Sequence, residues 1–90
     1  MDIKLVSKLF EQHPLLAKIL KAGVVGKKQI REMLDISKQE MDEIHKELIL
    51  AEAVIGYNHS AFRANDELLD YIADVETGLK LIETEELINE

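Results

Sequence analysis

Lys27 to Leu50, KKQIREMLDISKQEMDEIHKELIL, is the stretch from which the rest of the chain can be read. Ile30, Met33 and Leu34 recur at the spacing of one buried helix face, which predicts a short helix. Ser37 followed three residues later by Glu40 is a capping box, and it opens a second, longer helix. Behind that cap Met41, Ile44 and Leu48 keep helical spacing, while Gln39, Asp42, Glu43 and Lys46 point the other way. Leu34-Asp35-Ile36-Ser37 must then be a sharp turn, with Asp35 suited to the left-handed conformation such a turn requires.

Upstream, residues 2–12 predict a helix with Ile3, Val6, Leu9 and Phe10 on one stripe. His13-Pro14 ends it, because proline disfavours helical geometry in the residue before it. Proline fits the first position of a new helix, so residues 14–22 form a second one, with Leu15, Leu16, Ile19 and Leu20 as its buried face and Gly23 as its cap. Val24-Val25-Gly26 is long enough only for a β-bridge or a bend.

Downstream, Ala53 to Tyr57 reads as a strand, Asn58-His59-Ser60 as a turn and Ala61 to Ala64 as the returning strand. Tyr57 and Phe62 are expected to face each other or the core. Asn65 is a helix N-cap, with Asp66 and Glu67 in the first turn, where negative charge suits the helix dipole. Leu68, Ile72, Val75, Leu79 and Ile82 then follow the spacing of a coiled-coil seam.

The composition describes one domain with an ordinary globular balance of 47% apolar and 32% charged residues. Without cysteine, neither a disulfide framework nor a thiolate metal site can form. No apolar run approaches the roughly 18 residues of a membrane span, and MDIKLVSKLFEQ resembles no targeting peptide, so a cytoplasmic protein without membrane contact is expected. The net charge of −7 conceals an asymmetry. Residues 1–31 carry seven Lys or Arg against Asp2 and Glu11, a balance of +5, whereas residues 32–90 carry four bases against 16 acids, a balance of −12. A polyanion is attracted by one part of the chain and repelled by the other.

The order of these elements resembles the winged helix-turn-helix family of small bacterial and phage regulators. The matching residues are Ile30, Leu34, Ile36 and Ser37 through the turn, then Leu48, Val54-Ile55 and the hairpin up to Ala64. The resemblance covers residues 14–64 and implies a mainly α fold with a small β-hairpin. Residues 1–23 supply extra N-terminal helices, 24–64 the helix-turn-helix and wing, and 65–90 a C-terminal helical segment. Two positions depart from the family pattern. Arg31 stands where a small residue is usual, implying a looser or rotated packing of the two helices, and Asp35 stands where glycine is usual.

What the resemblance implies is sequence-dependent DNA binding in transcriptional regulation, without cofactor or catalysis. The candidate contacts are Lys27, Lys28, Ser37, Lys38, Gln39 and Lys46 on the two helices, and His59 and Arg63 on the wing. Gln39 suits an adenine edge, and the cations suit phosphates. The acids among them point to the alternative, a winged-helix protein that binds a protein partner through an acidic surface. Leu68, Ile72, Val75, Leu79 and Ile82 are the candidate seam of a homodimer. The competing arrangement folds that stripe back onto Ile3, Val6, Leu9 and Phe10, and Gly78 favours it as a bend. His13, His45 and His59 lie on different elements and suggest no metal site; His45, beside the buried stripe, reads as a structural histidine. No glycine-rich phosphate loop or activated nucleophile accompanies them.

Overall fold

Helix boundaries in this chain follow from where backbone groups find partners. The computed structural model describes residues 1–56 and 60–76. Helix α1 spans Ile3–Gln12, its N-terminus closed by the Asp2 carboxylate accepting from the Leu5 N–H. His13 ends α1 and precedes α2 (Pro14–Lys21), whose first position is the proline. Gly23 then takes a φ of 120°, open to glycine alone without strain. Strand β1 (Val25–Gly26) leads directly into α3 (Lys27–Leu34). Asp35 adopts the left-handed conformation (φ 54°, ψ 52°) that turns the chain into α4 (Lys38–Leu50). Ser37 caps α4, its hydroxyl accepting from the Glu40 N–H at 3.1 Å. The reciprocal half of the expected box differs: the Glu40 carboxylate takes the Ser37 hydroxyl, at 3.4 Å.

At the far end of α4, Glu52 also enters the left-handed region, at φ 56°. The Glu52 N–H donates to the Ile49 carbonyl and the Ala53 N–H to that of Leu48. This is a Schellman closure with glutamate in the place glycine usually holds. The chain continues into β2 (Val54–Gly56) and β3 (Ala61–Ala64), and then into α5, residues 66–76.

Strand β3 is the centre of a three-stranded antiparallel sheet of order β1-β3-β2. Val25 pairs with Phe62 on one side, and Ile55 pairs with Arg63 on the other. The expected hairpin is therefore present, and the short Val25–Gly26 segment is its third strand. Residues 57–59, with Tyr57 and His59, lie outside the described residues.

One hydrophobic core joins every helix to the sheet: Val6 and Leu9, Leu16 and Leu20, Ile30, Met41 and Leu48, Phe62, and Leu68 and Ile72 are all buried. Several expectations change here. Ile3, Leu15 and Met33, read as core positions, are exposed, the last two by 55% and 61%. Each lies at the margin of its stripe, and the neighbouring Val6, Leu16 and Ile30 already fill the interior. Leu68 and Ile72, expected on a seam between copies, lie in the interior of the domain. They are buried in their own domain because α5 folds back onto α1. Phe10 and Tyr71 stack at 6.3 Å between centroids, and the Met1 amino group pairs with Glu67 at 3.1 Å. Val75 is 39% exposed, and Leu79, Ile82 and Gly78 fall outside the described residues.

Asn65 fastens the start of α5 at three points. Its side-chain oxygen accepts from the Leu68 N–H at 2.9 Å, and its amide donates to the Glu52 carbonyl at 2.6 Å. Its own N–H donates to the Ala53 carbonyl at 2.9 Å.

Candidate nucleic-acid interface

The buried stripe of α4 leaves the opposite face to solvent. Lys38, Gln39, Asp42, Glu43 and Lys46 are all exposed there and border a shallow depression of about 450 Å³. Two contacts tie the surrounding elements to the sheet. The backbone N–H of Lys27 donates to the Ser60 carbonyl at 2.7 Å, holding the start of α3 to the return of the hairpin. His45, on the flank of α4, stacks on the fully buried Phe62 of β3 with centroids 4.9 Å apart. Burial holds the His45 pKa below the ordinary histidine value, nearby Lys27 lowers it further, and Asp42 opposes both. The stacked ring is a packing element, as its position beside the apolar stripe suggests.

The sequence-derived contact residues divide into groups. Lys38, Gln39 and Lys46 lie together on the outer face of α4 and have no side-chain partner among the described residues. Lys27 is committed elsewhere, its Nζ 3.4 Å from the Asp42 carboxylate and its side chain mostly covered. Lys28 is exposed. The hydroxyl of Ser37 is occupied in capping. Arg63 lies half-buried on β3, with its guanidinium donating to the adjacent Ala64 carbonyl at 3.4 Å. His59 lies outside the described residues.

Two features lie outside the sequence-derived contact residues. Arg31 is half-buried in the last turn of α3 with its Nε enclosed and unpartnered among the described residues. With Lys28, Glu32, Asp35 and Ile36 it borders a depression of about 310 Å³ at the α3–α4 turn. The second is an apolar groove of about 480 Å³ between α2, β1 and α3, lined by Leu15, Ile19, Val24 and Met33 with Lys18 at its edge. Its signal was present as apolar residues in excess of what one stripe can bury, but period alone assigned them to the core.

Among the described residues no group of three or more His, Asp or Glu side chains could hold a metal ion, and no helix is long and apolar enough to cross a membrane. No family model, curated protein or solved structure matches this chain.

Proposed function

We propose that this domain is a winged-helix DNA-binding protein acting in transcriptional regulation, with α4 as the helix presented to the duplex. The observation that carries this reading is the bracing of α3, the Asp35 turn and α4 against the sheet through Lys27–Ser60 and His45–Phe62. That bracing leaves a polar face on α4 beside the root of the hairpin, where Lys38, Gln39 and Lys46 have no side-chain partner among the described residues. Lys28, Lys38 and Lys46 supply phosphate contacts, and Gln39 reads a base edge. Lys27 acts differently from Lys28: its pairing with Asp42 offsets a charge that would otherwise repel phosphate.

A second reading, recognition of a protein partner, is favoured by the exposed Asp42 and Glu43 on the same face and by the net charge of −7. Fluorescence anisotropy with random duplex DNA over a salt series separates the two. Under the DNA reading, Lys28→Ala with Lys38→Ala weakens binding to all sequences and lowers the salt slope by about 2, roughly one per phosphate contact. Gln39→Ala changes sequence preference instead. Absence of binding to any duplex at low salt would overturn the DNA reading and favour the protein partner.

A further inference from the structure

Arg31 stands apart from the other half-buried cations, Lys27 and Arg63. The Lys27 ammonium faces the Asp42 carboxylate, and the Arg63 guanidinium donates to the Ala64 carbonyl. Arg31, in the last turn of α3, makes no hydrogen bond or ion pair among the described residues, and its Nε is enclosed. Glu32 and Asp35 border the same depression of about 310 Å³, yet neither carboxylate lies within ion-pair distance of the guanidinium. An enclosed donor without a partner is unfavourable, and a native fold that keeps one calls for a partner from outside the chain.

The chemistry of the site favours an anion. Enclosure of Nε holds the stem of the side chain in place, so little freedom is left to lose on binding. Most donors of a guanidinium lie on its terminal nitrogens, and their planar fork matches two oxygens of one phosphate. Lys28, exposed on the preceding turn of α3, borders the same depression. Positions three apart are neighbours on a helix surface. The carboxylates select the charge of the ligand. Glu32 and Asp35 offset Lys28 and Arg31, so the depression offers no net charge to a phosphate monoester, which is close to a dianion at neutral pH. A phosphodiester carries one negative charge, is repelled less by the two acids and still fills the fork. Its source follows from position: Asp35 and Ile36 lead directly into Ser37 and Lys38, where α4 begins.

We propose that Arg31, flanked by Lys28, takes a phosphodiester of the duplex backbone in the depression at the α3–α4 turn and so seats the start of α4. This inference rests on the DNA reading and adds to it a contact outside the face of α4.

The Arg31 Nε–H signal in NMR spectra of the full 15N-enriched chain reads the contact directly. A mixed-sequence duplex at low salt should move that signal. In fluorescence anisotropy, Arg31→Gln should lower the salt slope of duplex binding by about 1, one phosphate contact, and Arg31→Lys, which keeps the charge, should retain the wild-type slope. Unchanged amide shifts of the core residue Leu48 show an intact fold in each variant. Duplex binding with an unmoved Arg31 Nε–H signal, or with an unchanged slope in Arg31→Gln, would overturn this site and leave the DNA reading standing. Absence of duplex binding by the wild-type chain would overturn both.

Discussion

Helices α4 and α5 carry apolar stripes of the same kind, and the two were assigned opposite roles from sequence. Met41, Ile44 and Leu48 were read as core, Leu68 and Ile72 as a seam between copies, yet all five are buried in one interior. Their starts differ more than their stripes do. The cap of α4 is local, made by Ser37 on the Glu40 N–H three residues away. That of α5 combines a local bond to Leu68 with the contact from Asn65 to the Glu52 carbonyl, thirteen residues back in the chain. Spacing along a helix determines which side chains share a face, but which surface covers that face depends on where the chain has been folded before.

The most severe way to break this comparison is to charge the α5 stripe. Ile72→Asp places a carboxylate at a site only 2% exposed. Besides losing the apolar contacts, it buries an unpaired charge, a change in the class that costs more than about 4 kcal/mol. Thermal melting should show a protein unfolded or close to it at 25 °C. A variant that stays folded and only changes its sedimentation would restore the seam reading.

A smaller effect separates the two caps. Ser37→Ala should cost about 1 kcal/mol, the usual loss for a helix N-cap. Asn65→Ala should cost more, about 2 kcal/mol, because it also removes the hydrogen bond to the Glu52 carbonyl. Urea denaturation of the two variants measures the difference, and equal losses would show the Asn65–Glu52 contact to be without weight.

The smallest expected effect lies on the flank of α4. With a folded-state pKa below its unfolded value, His45 binds fewer protons in the folded protein. Its contribution to stability is present above about pH 6.5, the unfolded value, and is lost as pH falls through that value towards the folded one. The melting temperature should therefore drop over this window, and His45→Gln should flatten the dependence. An unchanged slope in the variant would assign the effect to other groups.

Local features were read most accurately. The Asp35 turn, the Ser37 and Asn65 caps, the break at Pro14 and the Ala61–Ala64 strand all rest on interactions within a few residues. The stripe of α4 was legible because Met41, Ile44 and Leu48 recur at helical spacing, and all three are buried. Leu15 was misread because α2 carries more apolar residues than one contact face can cover, and Met33 because it lies at the margin of its stripe beside the buried Ile30. In the candidate interface, Lys38, Gln39 and Lys46 share a face by helical period alone. The partnership of Lys27 with Asp42 was not legible, because it joins residues of two helices across a turn.

The sequence by itself determined the order of the helices, the ends of α1 to α4 to within a residue, the presence of the hairpin and the polar face of α4. Caps, turns and period act over short stretches of chain and need no knowledge of the rest. Only the tertiary structure decided that α5 covers α1, that Val25 and Gly26 pair with β3, and that Leu15, Val24 and Met33 meet at one groove. Those outcomes depend on burying apolar surface between distant segments. That driving force scales with area and has no direction, so the pattern that creates it does not name its partner.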